Sequence, residues 1–418
     1  MSNGPMPMTQ PARNPDGGRR LRVLVVASLY PHAKNETIGL STHRRDIELA
    51  KLCDVKVLAL TDRSDLPETE TLDGVEVFRP RWRRVPKLGV FVDGYRYATR
   101  LARIVGGVST RRGSRDGDVP PTVLPESFEF DLIDAHWLYP DGFAAVRLGR
   151  RLGKPVAVTG RGSDVNDYCS WWATRPFVRR TLRSADHLFA VSRRVKETMV
   201  EAGATAERIT VVPNGVDTAL FHFGERDAAR RTLGLPLEER ALISVGPMLH
   251  AKGFQHLIEG LRLLGQNEAG CLYILGPGPY RESLETLAGA AGLSARVRFL
   301  GRVAQKEMPL WYQAADFFCF GSLREGCPNV VLEALACGTP VVSSHVGGIP
   351  DLVEEGRSGV LFEPGSTEAF ATALKTALAR PWDRQAIAAL GARRSWAHVA
   401  AEYARAFEQI VSRWSAKP

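Results

Sequence analysis

The sequence predicts an α/β protein made of two doubly wound parallel sheets. Three observations predict it. Short apolar runs alternate with breaker-free stretches of helical composition. The alternation runs twice, on either side of a turn cluster at Pro213-Asn214-Gly215-Val216-Asp217. The chain has 418 residues, enough for two domains of ordinary size.

In the first half, Leu21 to Ala27 reads as a buried strand and Ser28 to Leu40 as a loop holding Pro31 and Gly39. Thr42 to Leu52 is helical in composition, and strands follow at Val55–Leu60 and Val75–Phe78. Asp131 to His136 is a strand, then comes a helix, then the strand Pro155–Thr159 and the loop Gly160-Arg161-Gly162-Ser163-Asp164. His187–Ser192 and Ile209–Val212 complete the set. The second half repeats the pattern with strands at 241–246, 271–276, 297–301, 316–320, 339–344 and 359–362. Trp396, Val399, Tyr403, Phe407, Ile410 and Trp414 fall at helical spacing and form one apolar stripe.

Ligands of such sheets sit beyond the C-terminal ends of the strands. That directs attention to the loop with Gly39, to His136, to the Arg161–Asp164 loop and to Lys252 after the strand ending at Gly246. The Gly276-Pro277-Gly278-Pro279 loop allows close backbone approach but lacks G-x-G-x-x-G, so it does not read as a dehydrogenase site. The most informative stretch is Arg324-Glu325-Gly326-Cys327-Pro328-Asn329-Val330-Val331-Leu332-Glu333. A strand feeds a loop, and the loop feeds a helix with Pro at its start and Gly338 past its end. The free N–H groups of that helix face the strand ends and suit an anion, typically phosphate. Glu325 and Glu333 bracket the helix start and can accept hydrogen bonds from hydroxyls. Hydroxyls at both ends with phosphate between is the layout of a nucleotide sugar; a solvent-facing Glu pair is the plain alternative.

Composition narrows the classes. The chain is 44% hydrophobic and 24% charged, ordinary for a globular protein. No apolar run approaches the roughly 18 residues that span a bilayer. Residues 1–20 are rich in Pro and Gly, lack the apolar centre of a signal peptide and are expected to be a disordered leader. The six cysteines show no C-x-x-C and read as reduced thiols of a cytoplasmic protein. The net charge of +9 suits anionic lipid or phosphorylated ligands, and no nucleic-acid module is visible. Phe78–Ile104 mixes Arg79, Arg81, Arg83, Arg84, Lys87, Arg96, Arg100 and Arg103 with Phe78, Trp82, Phe91, Tyr95 and Tyr97. It suits an anionic membrane surface, or else a solvated basic helix with its aromatics packed inward. Cys169 to Ser184 is a second basic, aromatic stretch. Asp116-Gly117-Asp118 mimics a metal-binding D-x-D but has no flanking strand, so no metal is expected.

REGCPNVVLEALACGTPVV, with its E-x7-E pattern, resembles the retaining glycosyltransferases of family 4. VVPNGVDTALF resembles that family's linker, and DAHWLYPDG and TGRGSDVN resemble a bacterial subset that builds surface polysaccharides of the teichuronic-acid type. The resemblance covers the chain from about Leu21. It implies the GT-B fold: an acceptor domain over 21–213, a nucleotide-sugar domain over 214–395, and a last helix, 396–418, crossing back to the first domain. It implies transfer from a UDP- or GDP-sugar to a hydroxyl of a lipid-linked or polysaccharide acceptor, without metal or other cofactor. Donor contacts would fall to Gly246, Lys252, Gly276, Gly278, Glu325, Gly326, Asn329, Val330, Val331 and Glu333. Gly39, Arg161 and Asp164 would lie on the acceptor side, and His136 would orient sugar or acceptor. Pro247 stands where the family often has a phosphate-binding Arg, which leaves Lys252 alone or assisted by His250, Arg281 or Arg302. Two other readings stay open: a nucleotide-sugar epimerase of the same architecture, and a non-catalytic scaffold.

Overall fold

A computed structural model describes residues 19–32, 35, 38–82, 89–106, 128–264 and 270–416. Most of the expected leader, Arg83, Arg84, Lys87 and the D-x-D at Asp116–Asp118 lie outside the described residues, as does the side chain of Phe91. The first lobe runs β1 (Arg22–Val26), α1 (Leu40–Leu49), β2 (Asp54–Leu58), β3 (Thr69–Leu72), β4 (Val75–Phe78), α2 (Gly89–Gly106) and β5 (Leu132–His136). It continues with α3 (Phe143–Leu152), β6 (Val156–Gly160), α4 (Ser163–Asn166), α5 (Arg175–Ser184), β7 (His187–Ala190), α6 (Arg193–Glu201) and β8 (Ile209–Val211). The second lobe runs α7 (Arg226–Leu233), β9 (Ala241–Val245), α8 (Phe254–Leu263), β10 (Cys271–Leu275), α9 (Arg281–Ala290), β11 (Val297–Gly301), α10 (Met308–Ala314) and β12 (Phe317–Phe320). Then come α11 (Asn329–Ala336), β13 (Val341–Ser344), α12 (Ile349–Leu352), β14 (Gly359–Phe362), α13 (Thr367–Leu378), α14 (Arg384–Ala392) and α15 (Trp396–Ser415).

The first sheet has the order β3-β4-β2-β1-β5-β6-β7-β8 and the second β11-β10-β9-β12-β13-β14. Every pairing between these strands is parallel except β3 with β4. The edge strand β3 went unnoticed in the sequence because Thr69-Glu70-Thr71-Leu72 is polar, as an exposed edge is. The central strands are buried along their length, which is why they read as unbroken Val, Leu and Ile runs.

Two packing results bear on function. The stripe on α15 docks in the first lobe: Val399, Tyr403, Phe407 and Ile410 pack with Val23, Val25, Val57 and Phe189. The basic, aromatic stretch Phe78–Ile104 turns most of its described aromatic side chains inward. Phe78, Trp82 and Tyr97 are core residues, with Trp82 and Tyr97 edge to face at 5.0 Å. Arg79 is buried against Glu70 and the Pro31 carbonyl, and Arg81 and Arg100 donate to backbone carbonyls. Of the two readings of this stretch, the described aromatics favour inward packing: all but Tyr95 stabilise the lobe from inside.

Candidate active site

In each sheet the strand order reverses at one point, between β1 and β5 in the first and between β9 and β12 in the second. Open α/β sheets form a crevice at such a point. The loops leaving these strands line one common cavity of about 760 Å³ between the lobes: Leu29 and Gly39 after β1, Trp137 after β5, Gly246 and Lys252 after β9, Glu325 and Gly326 after β12. Trp137 has a positive φ of 80°, a costly conformation for a bulky residue, and so marks a loop whose shape is imposed by its surroundings. Asp141 ties the first two loops together, accepting from the Ser28 N–H, the Ser28 hydroxyl and the Tyr97 hydroxyl. Burial outweighs those three donors and pushes its pKa up to about 6.

Two helices open onto the cavity with their N-termini. Leu40 and Ser41 of α1 and Asn329 and Val330 of α11 are in its wall. Neither helix has a side-chain cap, and neither carries an acid in its first turn. Their first N–H groups are thus available to an anion. Lys252 adds a full positive charge. Its Nζ donates to Glu325 Oε1 at 2.6 Å, so the predicted cation and the predicted carboxylate meet across the second switch point. Glu333 lies farther along α11, outside the cavity lining, and accepts from the Tyr312 hydroxyl at 2.9 Å. Removal of its carboxyl from water raises its pKa.

Arg161 is the hub of the first lobe's wall. Its guanidinium donates to His136 Nδ1 at 2.9 Å, to Thr42 Oγ1 at 2.9 Å and to Asn214 Oδ1 at 3.0 Å. Behind it, His136 Nε2 stands 3.0 Å from Asp134, which also takes Arg45 at 2.6 Å. His136 therefore donates from Nε2, accepts at Nδ1 and is neutral. Burial, seconded by the nearby charge of Arg45, lowers its pKa to about 3. Both ring nitrogens are engaged within the protein, so His136 positions Arg161 and does not face the cavity. Asp164 is likewise internal: it accepts from the N–H groups of Leu138, Arg161 and Gly162 and fixes the loop from below.

The lobes touch. A Cβ on Gly162 would lie 2.6 Å from Gly326 Cα, and one on Gly326 would lie 2.3 Å from the Arg161 carbonyl. Only glycine permits that approach. Asn214, between the lobes in sequence, donates to the Cys327 carbonyl and to Asn329 Oδ1, while Asn329 donates to Ser41 at 2.8 Å. Arg193–Asp351, whose carboxylate is largely buried, and the exposed pair Arg324–Asp167 also cross the gap; an exposed pair contributes only about 0–1 kcal/mol. The half-buried amide chain from Arg161 through Asn214 and Asn329 to Ser41 is the more selective tie.

Of the site residues read from sequence, Gly39, Arg161, Gly246, Lys252, Glu325, Gly326, Asn329 and Val330 line the cavity, whereas His136, Asp164, Gly276, Gly278, Val331 and Glu333 do not. The close approach expected at Gly276 and Gly278 is made to protein. A Cβ there would meet the carbonyls of Gly246 and Met248 at 2.1 and 2.3 Å. His250, Arg281 and Arg302, the expected substitutes for the cation absent at Pro247, are not in the wall; Arg161 and Arg324 are. Ser41, Thr42 and Asn214 were missed, since small polar residues in a loop or turn cluster carry no periodic signal.

Residues 48–215 match the family described as glycosyl transferase 4-like domain, and residues 225–394 match glycosyl transferases group 1. A Bacillus subtilis (strain 168) glycosyltransferase named for teichuronic acid biosynthesis is 29% identical over 374 residues, 85% of this chain and 88% of that protein. A D-inositol 3-phosphate glycosyltransferase of Corynebacterium efficiens is 32% identical over 302 residues, 67% of this chain and 68% of that protein. Among solved structures, Anabaena HepE in complex with UDP superposes with a TM-score of 0.69 at 20% identity, over 93% of this chain and 100% of that one. The two sheets facing across a cleft are the GT-B fold. With both halves matched and a relative of this identity covered over two thirds of its length, the chain belongs to the group 1, 4-like glycosyltransferases.

Proposed function

We propose that this glycosyltransferase moves a sugar from a nucleotide diphosphate sugar to a hydroxyl of a lipid-linked or polysaccharide acceptor, with retention at the anomeric carbon. One observation carries the reading: two uncapped helix N-termini and the Lys252–Glu325 pair face one cavity at the switch points of both sheets. Fixed amide dipoles and an ammonium hold a diphosphate and stabilise the charge that builds on it as the glycosidic bond breaks. When the diphosphate takes Lys252, Glu325 is released to accept hydrogen bonds from the donor sugar's hydroxyls. The ribose reaches past the cavity wall along α11 to Glu333, whose carboxylate Tyr312 holds in place. The N–H groups of Asn329 and Val330 and the backbone at Gly246 shape the donor side, with Gly276 and Gly278 packed behind Gly246; Gly39 stands on the acceptor side. Arg161, braced by His136 and Asp164, forms the acceptor-side wall. The relative named for teichuronic acid supports a role in cell-surface glycan synthesis, and the relatives that act on inositol phosphate support a hydroxyl acceptor.

The test is a thermal-shift screen against UDP- and GDP-sugars, followed by an NMR transfer assay with the donor that raises the melting point. A ligand at 100 times its Kd stabilises by about 2.7 kcal/mol. Glu325→Ala should abolish transfer and leave the fold intact. Full turnover in that variant removes Glu325 from the mechanism, an inverted product removes retention, and isomerisation of donor alone replaces transfer by epimerisation.

A further inference from the structure

We propose that α3 and α5 form a docking face for an anionic lipid surface. The two helices carry Arg147, Arg150 and Arg151, and Arg175, Arg179, Arg180 and Arg183, with no acid in either. Six of the seven are exposed, Arg179 being half-buried. Among the described residues, none of the seven forms an ion pair, whereas the exposed Arg63, Arg194, Arg226, Arg281, Arg324 and Arg357 each pair with a carboxylate. The chain's net charge is +9; without these seven it would be 9 − 7 = +2. The two helices, of ten residues each, thus carry a local charge of +7 that no acid of their own offsets.

The face is continuous and is not purely charged. A groove of about 610 Å³ between α3 and α5 shares Arg150 and Arg180 with a second, of about 300 Å³, against α2. Trp171 and Trp172, just before α5, are 44% and 72% exposed. Folding leaves large indoles in water only at a cost. Indoles beside arginines match the headgroup level of a bilayer, where the ring meets the acyl boundary and the guanidinium meets phosphate. A soluble polyanion would satisfy the arginines without using the indoles. This surface is preferred to Phe78–Ile104, whose described aromatics are, Tyr95 excepted, inside.

The face also reaches the cavity. Ser163, Asn166 and Asp167 line the inter-lobe cavity, and Trp171 and Trp172 follow within the same turn of chain. A lipid-linked acceptor held at the face would have its hydroxyl delivered to the cavity mouth. Only this delivery step rests on the proposed function; docking itself does not.

The experiment is co-sedimentation of the full chain with phosphatidylglycerol/phosphatidylcholine vesicles, with pure phosphatidylcholine as reference. Binding is expected to the anionic vesicles only, and to fall sharply at about 0.5 M salt. The triple variant Arg175→Glu, Arg180→Glu, Arg183→Glu should partition about 100-fold less. A charge-matched triple on other surfaces, Arg194→Glu, Arg231→Glu, Arg357→Glu, should bind nearly as the parent does. The double variant Trp171→Ala, Trp172→Ala should lose vesicle binding yet keep any binding to dextran sulfate. Equal loss in the two charge-reversal triples, no preference for anionic vesicles, or vesicle binding indifferent to both tryptophans would each overturn the assignment. Transfer to a short soluble acceptor should be unchanged in the α5 triple; its absence in every variant and the parent counts against the proposed function and leaves docking standing.

Discussion

His136 shows how far a single residue's environment decides its role. Read from sequence, it stands at a strand's C-terminal end beside a polar loop, a fair position for a group that touches substrate. The structure surrounds it with Asp134 on one nitrogen and Arg161 on the other. The local sequence could not reveal this, because Arg45 and Arg161, which complete the chain of contacts, come from α1 and from the loop after β6. The buried neutral imidazole has a consequence for acid stability. Its pKa in the folded protein, about 3, lies below the ordinary value of 6.5, so the unfolded chain takes the proton first as pH falls. The contribution is complete above pH 6.5 and is lost progressively down to about pH 3, at about 1.4 kcal/mol per pH unit. Urea midpoints of the parent and of His136→Gln, compared between pH 7 and pH 4, should differ by that slope. Parallel curves would mean that the ring is not held neutral.

At the scale of elements, the strand–loop–helix unit β12–α11 was the most legible part of the chain. Its apolar strand, Pro328 and Gly338 each have a local physical reason, and the structure places α11 at Asn329–Ala336. Glu325 and Lys252 could be named from their loops because strand C-termini converge in any such sheet. The partner of that loop was not legible. Gly162 and Gly326 are far apart in sequence, and nothing in either loop's composition announces that their backbones touch. Gly326→Ala places a methyl 2.3 Å from the Arg161 carbonyl, so something must shift. Overpacking of this kind costs about 1–3 kcal/mol in a core. Here the yielding element is the contact between lobes, which can open without unfolding either one. The variant should keep its melting temperature within a few degrees while kcat/KM falls at least about tenfold. Unchanged transfer would show that this contact has no part in turnover.

For the whole molecule, fold class was plain from the alternation of elements, since buried parallel strands have few other readings. The packing of Phe78–Ile104 was not legible because charge and aromatic content do not tell which side chains face inward; Trp82 and Tyr97 had to be seen packed. The dependence of the first lobe on α15 follows from the same packing. Val399, Tyr403 and Phe407 cover one face of the first sheet, and Arg45 lies 4.7 Å from the Tyr403 ring centroid. Deleting residues 396–418 removes nothing from the first sheet itself, yet it uncovers Val23, Val25 and Val57. Phe407→Ala alone should cost about 3–5 kcal/mol. The deletion should abolish the cooperative melt of the first lobe, seen as loss of near-UV signal; retention of a sharp transition would show that the sheet stands without its cover. The same arrangement sets an order of events at the ribosome. The strands of the first lobe are finished by Val211, but the helix that seals them starts only at Trp396. At ordinary rates of chain synthesis that interval lasts on the order of ten to forty seconds. For that time a nascent chain carries an uncovered apolar sheet, a natural client for a chaperone, and the first lobe is sealed only after the second has been made.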